Sequence, residues 1–208
     1  MALENQLTIY TDFDKTMIKE NSPMYFFPNL LRRVIPSRRV AIRAFQAFLR
    51  GGIGGEVFLE AISEADAHTK GIIANKVVKM LSFNKKWLYE LRNLVLKNPR
   101  MKNIKLVIIT RNIRIIPELF IELYHDEITN WSQGRFRHDF VIVANESVGS
   151  SSVRRQYVPN LTLPIIINQS REKGKFIKSK NAFFFGDQEE YNELVRHTNL
   201  RDLHFIIV

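Results

Sequence analysis

Two carboxylates, Asp12 and Asp14, follow directly after a short apolar run in the sequence LTIYTDFDKT. The length and the composition of this run are typical of a buried β-strand, so the two acidic side chains are predicted to lie at a strand end. Ligands of open α/β sheets bind beyond the carboxyl ends of the strands. The pair is therefore a candidate functional site.

Three further stretches place polar residues at comparable points. Thr110 ends the apolar part of a second predicted strand, and Asp187 follows the apolar sequence FFFG. A predicted helix that contains Lys173 and Lys175 comes just before the strand that ends at Asp187. Each residue alone has an ordinary explanation, because strand ends are often polar and lysines often cover helices. Their occurrence together and in this order favours one shared site.

The chemistry that suits such a set is phosphoryl transfer through a carboxylate. Asp12 can attack phosphorus if cations offset its repulsion of the phosphate. Asp12 and Asp187 offer the oxygen ligands that Mg²⁺ prefers, and Lys173 adds a second positive charge. Thr110 can donate its hydroxyl to a phosphate oxygen. Asp14 can protonate the leaving oxygen and later deprotonate the attacking water.

The elements that must position these residues alternate between strands and helices, which predicts an α/β fold with a parallel sheet. Strands are predicted at residues 6–11, 104–112, 139–146, 181–188 and 203–208, and helices at 38–50, 56–67, 85–97, 113–127, 170–180 and 189–198. Three prolines between residues 21 and 37 predict a connection with at most a short helix, and residues 153–169 are interpreted as a hairpin.

A helical block interrupts this alternation. Residues 1–20 and 100–208 are predicted to form the sheet domain, and residues 21–99 an inserted helical cap. The cap carries 13 Lys or Arg and 5 Asp or Glu, which accounts for +8 of the net charge of +10. Such a surface can attract a phosphorylated substrate, nucleic acid or anionic lipid, or it can simply be a solvated helical face.

Composition narrows the class of protein. The 208 residues include no cysteine, which excludes disulfides, thiolate metal sites and cysteine nucleophiles. The amino-terminal sequence lacks the pattern of a signal peptide, and no apolar run approaches the roughly 20 residues needed to cross a bilayer. We therefore expect a cytoplasmic protein without a membrane partner. Its oligomeric state is left open.

The motifs DFDKT, the strand ending in Thr110, KGKFI and FFFGD together resemble the haloacid dehalogenase (HAD) superfamily of phosphohydrolases. The resemblance is greatest to the phosphoserine-phosphatase-like branch, with a Rossmann-like parallel sheet and a helical cap inserted after the first motif. It implies that Asp12 is the nucleophile and Asp14 the acid/base, with the Asp14 backbone carbonyl as a metal ligand. It also implies that Thr110 and Lys173 hold the phosphate, and that Asp187 binds Mg²⁺.

The last motif departs from the pattern of the superfamily. Relatives usually carry a second acid four or five residues after the first, where this chain has Tyr191 and Asn192. Glu189 and Glu190 lie nearby in a different register, and the sequence assigns them no role.

Two of the motifs contain lysines at positions that affect the predicted site. Lys173 is preferred over Lys175 as the phosphate ligand because a glycine follows it, as in relatives. Lys15 replaces the usual small residue inside the first motif, where it can crowd the mouth of the site.

These observations favour a magnesium-dependent phosphomonoester hydrolase that acts on a small phosphorylated metabolite. Two alternatives stay open. The basic cap is compatible with a phosphatase acting on nucleic-acid ends, although no nucleic-acid-binding motif is evident. The irregular last motif is compatible with a catalytically weakened scaffold that binds a phosphorylated ligand or partner.

Overall fold

The computed structural model describes residues 6–33, 37–49, 62, 64–130, 137–145, 170–177, 182–197 and 203–208. The hairpin predicted within residues 153–169 lies outside these ranges. Among the helices of the described ranges, none combines the length and the apolar character needed to span a bilayer.

Five strands form one sheet. They are β1 (Gln6–Thr11), β2 (Asn103–Ile113), β3 (Arg137–Asn145), β4 (Ala182–Gly186) and β5 (Leu203–Ile207). Their order is β3-β2-β1-β4-β5, and every neighbouring pair is parallel. The predicted Rossmann-like α/β fold is therefore confirmed. Strands β2 and β3 lie on one side of β1, and β4 and β5 lie on the other, so the strand order reverses between β1 and β4.

Six helices accompany the sheet in the described residues. They are α1 (Pro23–Leu31), α2 (Arg38–Leu49), α3 (Ala67–Val78), α4 (Lys85–Leu96), α5 (Ile115–Thr129) and α6 (Gln188–His197). A 3₁₀-helical segment, Ser170–Phe176, stands in place of the helix predicted over residues 170–180. The first four helices all lie between β1 and β2. The boundaries of the predicted cap, residues 21–99, stay a prediction.

Helix α1 is longer than the proline pattern predicted. Pro23 occupies its first turn, where the missing N–H has no helical partner to lose. Pro28 lies inside the helix, at the cost of one hydrogen bond. Burial of Phe26, Phe27 and Leu30 on the inner side of α1 offsets that loss.

Helix α3 was not predicted, and residues 64–66 form a turn instead of the end of the helix expected over residues 56–67. Asp66 marks the true start, because its carboxylate accepts hydrogen bonds from the Thr69 N–H at 2.7 Å and the Thr69 hydroxyl at 2.9 Å. Gly71 and several β-branched residues give this segment a weak helix propensity. Tertiary packing overrides it, since α3 buries Lys70, Ile73, Ala74, Val77 and Val78 at helical spacing.

An aromatic cluster joins the α3–α4 connection to α5 and to the segment after β1. Phe83, between α3 and α4, stacks on Tyr124 of α5 with ring centroids 5.4 Å apart. Phe120 lies 4.5 Å from Tyr124 and meets Phe13, just after β1, edge to face at 5.3 Å. Aromatic pairs of this kind add to the free energy of burial itself. The cluster therefore fixes the segment after β1 against α5 and the α3–α4 connection.

Backbone pairing fixes the same segment from a second side. The Lys19 N–H donates to the Ser82 carbonyl at 3.1 Å, and the Asn84 N–H donates to the Met17 carbonyl at 2.9 Å. The Glu20 carboxylate accepts the Ser82 N–H at 2.8 Å. The chain that follows the two predicted catalytic carboxylates is thus held by the α3–α4 connection.

Candidate active site

Asp12 lies at the carboxyl end of β1, beside the point where the strand order reverses. Thr11 pairs with Phe185 of β4, and the Asp12 N–H donates to the Phe185 carbonyl at 2.9 Å. Asp187 immediately follows β4. Because β1 and β4 are adjacent and parallel, the backbones at Asp12 and Asp187 leave the sheet at the same edge. This is the crevice where open α/β sheets bind ligands.

A single wide turn follows Asp12. It comprises Phe13–Met17 and is closed by a hydrogen bond of 3.1 Å from the Ile18 N–H to the Phe13 carbonyl. Within it, Lys15 adopts a left-handed conformation with φ of 59°, which favours glycine. The turn separates the surroundings of Asp12 from those of Asp14, although only one residue lies between them.

Lys173 directly contacts Asp12. Its ammonium Nζ lies 2.7 Å from Asp12 Oδ1 and 2.9 Å from Glu190 Oε2, and the side chain is fully buried. Burial alone would lower the pKa of Lys173, but the two carboxylates together raise it above its ordinary value. Lys173 therefore stays a cation next to the predicted nucleophile. Lys175, the alternative considered from the sequence, is exposed.

Glu190 completes this ionic cluster, and the sequence assigned it no role. It lies in the first turn of α6, is 2% exposed, and its N–H donates to Asp187 Oδ1 at 2.8 Å. Burial, reinforced by the Asp12 carboxylate, raises the pKa of Glu190 to about 7. Gly186 makes room for this arrangement, because a Cβ there would lie 3.1 Å from Glu190 Cγ and 2.6 Å from the Phe205 ring.

Asp14 has neutral partners instead. Its Oδ1 accepts hydrogen bonds from the Ser22 N–H at 2.7 Å and from the Ser22 hydroxyl at 2.6 Å. Its Oδ2 accepts a longer bond of 3.2 Å from Asn112 Nδ2. Burial raises the pKa of Asp14 to about 6, and the Asp12 charge adds to the rise against the opposing effect of Ser22. Asp14 therefore keeps its proton up to about pH 6.

Thr110 lies at the same edge but not at a strand end. Strand β2 continues to Ile113, with a shift in its pairing to β3 between Ile109 and Ile113. The prediction that the strand ends at Thr110 is therefore wrong. Its pairing becomes irregular here, and the polar residues Arg111 and Asn112 continue the strand. The Thr110 hydroxyl oxygen accepts the Asn112 N–H at 3.1 Å, so its hydrogen can be donated elsewhere.

The structure thus arranges the predicted residues in two clusters. The Asp12 cluster contains Asp12, Lys173 and Glu190, with Asp187 joined to it through Glu190; the Asp14 cluster contains Asp14, Ser22 and Asn112, with Thr110 joined to it through Asn112. Ser22, Asn112 and Glu190 were missed because polar residues beside a motif carry no pattern of their own. The signal that could have pointed to Glu190 is its position in the first turn of a helix that follows Asp187.

The donor set at this edge suits a magnesium ion. The two carboxylates of Asp12 and Asp187 and the backbone carbonyl of Asp14 are all oxygen ligands, which Mg²⁺ prefers. In the described part of the chain, no three His, Cys, Asp or Glu side chains come together as a metal cage. A site with few protein ligands is nevertheless what Mg²⁺ commonly uses, because it keeps several waters and binds substrate phosphate.

Comparison with solved structures identifies the class of fold. A phosphoserine phosphatase, solved as a phospho-aspartyl intermediate analogue, superposes with a TM-score of 0.50 at 10% identity, over 94% of this chain and 84% of that one. A HAD family hydrolase from Salmonella enterica subsp. enterica serovar Typhi gives a TM-score of 0.50 at 15% identity, over 97% of this chain and 67% of that one. No family model and no curated protein matches the sequence.

The chain therefore has the fold of the HAD superfamily, of the phosphoserine-phosphatase-like type. The resemblance stated from the motifs is confirmed at the level of fold.

Proposed function

We propose that this chain is a magnesium-dependent phosphomonoester hydrolase that forms a phosphoryl intermediate on Asp12. The observation that carries the proposal is the contact of 2.7 Å between the buried Lys173 ammonium and Asp12 Oδ1 at the sheet crevice. A buried cation beside a strand-end carboxylate offsets the repulsion between that carboxylate and a phosphate dianion. The neighbouring structure described as a phospho-aspartyl intermediate analogue supports the same chemistry.

In the first step, an Asp12 carboxylate oxygen forms a bond to phosphorus as the bond from phosphorus to the ester oxygen breaks. The leaving oxygen takes the electron pair and receives a proton from Asp14. The raised pKa of Asp14, about 6, supports this role because a larger fraction of the acid keeps its proton near neutral pH than at the ordinary value of 3.8. Lys173 and the Thr110 hydroxyl hold the transferring phosphate oxygens.

In the second step, Asp14 takes a proton from water, whose oxygen attacks phosphorus and releases Asp12 and inorganic phosphate. The carboxylates of Asp12 and Asp187 and the Asp14 carbonyl would hold Mg²⁺, which supplies positive charge for the phosphate. Glu190 holds Lys173 in place beside Asp12.

The basic helical segment between β1 and β2 is the basis for proposing a substrate class. We propose that residues 21–99 form the cap that selects the substrate, and that the substrate is a small phosphorylated metabolite. The excess of basic residues in that segment favours an anionic ligand. A phosphorylated nucleic-acid end satisfies the same charge requirement, so it belongs in the test.

The test is a phosphatase screen over phosphorylated metabolites and 3′- and 5′-phosphorylated oligonucleotides, with Mg²⁺ and with EDTA. We expect Mg²⁺-dependent release of phosphate from a metabolite, and its loss in Asp12→Asn. Beryllium fluoride, which mimics a phosphoryl group on a carboxylate, should raise the melting temperature of the wild type with Mg²⁺ and not that of Asp12→Asn.

Activity that survives Asp12→Asn would exclude the covalent mechanism. If the wild type binds beryllium fluoride with Mg²⁺ but cleaves no phosphate ester, the chain is a phosphate-binding scaffold instead. Preferential cleavage of the oligonucleotides would replace the metabolite by a nucleic-acid end.

A further inference from the structure

Ser22 and Asn112 form the surroundings of Asp14 and are not part of the residue set described above for phosphate or metal. Both are buried, with exposed fractions of 0% and 1%. Ser22 precedes α1 and Asn112 lies in β2, so the two residues reach Asp14 from different parts of the chain. Buried polar groups of this kind are retained only where their hydrogen bonds are satisfied.

The Ser22 hydroxyl does not form the capping hydrogen bond expected at its position. Ser22 stands at the N-cap of α1, where a serine side chain commonly accepts a hydrogen bond from the first helical turn. Here the side chain makes no capping bond. Its hydroxyl instead donates to Asp14 Oδ1, alongside the Ser22 N–H. Helix α1 therefore begins without a side-chain cap, and Asp14 gains two short hydrogen bonds to one oxygen.

The orientation of Asn112 is also fixed. Its Oδ1 accepts the Ile113 N–H at 2.8 Å, so the amide nitrogen must point the other way. That nitrogen donates to Asp14 Oδ2 and to the Ser22 hydroxyl oxygen. The amide thus bridges the two residues, and its own backbone N–H contacts Thr110.

We infer that Ser22 and Asn112 are positioning residues for Asp14, which hold its carboxyl group so that Oδ2 is the oxygen that carries the transferred proton. Oδ1 is occupied by two bonds of 2.7 and 2.6 Å, whereas Oδ2 receives one bond of 3.2 Å. The more weakly bonded oxygen is the one that can exchange a proton with the leaving group and then with water. This inference rests on the proposed function, because it assigns the orientation of the acid in that reaction.

The assignment predicts an effect that depends on the leaving group. Ser22→Ala removes the hydroxyl and keeps the backbone donor, and Asn112→Ala removes the bridge. Misplaced catalytic groups cost up to about 10²-fold, so we expect kcat/KM for an alkyl phosphate, which reports the first step, to fall about 10–100-fold in each variant. Nitrophenyl phosphate needs little protonation of its leaving group, so its kcat/KM should fall by only a few-fold. The second step is common to both esters, so a loss of kcat that the two share reports the role of Asp14 as the base.

Two controls separate positioning from loss of structure. Asn84→Ala removes the N-cap of α4 and a bond of 2.7 Å from the Asn84 amide to the Thr16 carbonyl; this bond also joins distant parts of the chain, and neither contact touches Asp14. It should lower stability without changing the ratio of the two rates. Stabilisation by Mg²⁺ and beryllium fluoride should persist in Ser22→Ala and Asn112→Ala, because neither residue contacts Asp12.

A third comparison uses the acid itself. In an Asp14→Asn background, Ser22→Ala should cause no further loss, since the group that it positions is already gone. Equal losses of kcat/KM for both esters, no loss for either, or an additive loss in the double variant would overturn the inference while the phosphatase function stands. A wild type that cleaves no phosphate ester would overturn the proposed function, and the inference with it.

Discussion

Asp12 and Asp14 are two residues apart, yet the structure surrounds them with opposite kinds of partner. Asp12 contacts a buried ammonium group, which itself contacts a second buried carboxylate. Asp14 contacts a hydroxyl, a backbone N–H and an amide, none of which carries a charge. A cation stabilises the charged form of its neighbour, whereas burial among neutral donors allows the protonated form. In the proposed reaction, Asp12 attacks phosphorus while Asp14 holds a proton.

The separation comes from the backbone between them. The turn at Phe13–Met17 starts where the Phe13 N–H donates to Asp12 Oδ1 at 2.7 Å. Asp14 is extended within that turn, with φ of −68° and ψ of 137°, and Lys15 is left-handed. In this turn the Asp14 carboxylate meets Ser22 and Asn112, whereas Lys15 lies 3.5 Å from Glu189 of α6. Two like charges at one strand end therefore face different neighbours.

The largest effect is expected from removing the acid. Asp14→Asn keeps the shape and the acceptor for Ser22 but cannot donate the proton, so kcat/KM for an alkyl phosphate, which reports the first step, should fall about 10²–10⁴-fold. The kcat/KM for nitrophenyl phosphate should fall much less. Steady-state kinetics on both esters measures the split, and beryllium fluoride binding provides the control. An equal loss of kcat/KM on both esters would mean that Asp14 does not serve as the acid.

The next effect concerns the cation at Asp12. Lys173→Met should lower turnover about 10²–10³-fold, because one charge that stabilises the transferring phosphate is lost. It also leaves two buried carboxylates without their partner, which costs about 3–5 kcal/mol of unfolding free energy near pH 7.5. Kinetics and urea unfolding measure the two losses separately.

The double variant Lys173→Met/Glu190→Gln sharpens that result. Removing the second carboxylate should restore much of the stability, since Asp12 no longer faces a like charge. Turnover should stay low because the cation is still missing. Recovery of turnover together with stability would show that Lys173 acts only on the fold.

A smaller effect follows from the raised pKa of Asp14. The folded protein holds this proton up to about pH 6, and the unfolded chain loses it near pH 3.8. The contribution of Asp14 to stability is therefore full below pH 3.8 and is lost as the pH rises through 6. In metal-free protein, the free energy of unfolding of Asp14→Asn relative to that of the wild type should rise by about 1–2 kcal/mol from pH 5 to pH 7.5, because the contact of the new amide with Asn112 Nδ2 is the same at both pH values. Urea unfolding with EDTA at the two pH values measures this; the same difference at both would contradict it.

The smallest effect concerns the turn. Lys15→Gly relieves a left-handed side-chain conformation and should stabilise the fold by about 1 kcal/mol or less. The ion pair lost, Lys15 with Glu189 at 3.5 Å, is half exposed and contributes little. Lys15→Ala is the matched control, because it removes the same ion pair but keeps the Cβ. A thermal melt in which both variants behave alike would show that the conformation is not strained.

Much of the fold could be predicted because its signals are local. The continuous apolar runs of β1 and β2 and the helical spacing of α4 arise from neighbouring residues, so they are legible in the sequence. Helix α3 could not be predicted in the same way, since its propensity is weak and its stability comes from burial. The irregularity at Thr110 is likewise a matter of pairing with β3, which no local pattern reveals.

In the candidate site, too, local signals could be predicted from the sequence and tertiary contacts could not. The sequence by itself determined that Asp12 and Asp187 directly follow strands, because that requires only strand periodicity and the polar residue that follows. Only the tertiary structure decided their partners. Asp12 and Lys173 are 161 positions apart, and Asp14 and Asn112 are 98 apart; these pairs meet only in the folded chain, where β2 lies beside β1 and Glu190 of α6 binds Lys173. Electrostatic and hydrogen-bonding energies depend on distances in space, so the surroundings of the two carboxylates become definite only when β1 is placed between β2 and β4.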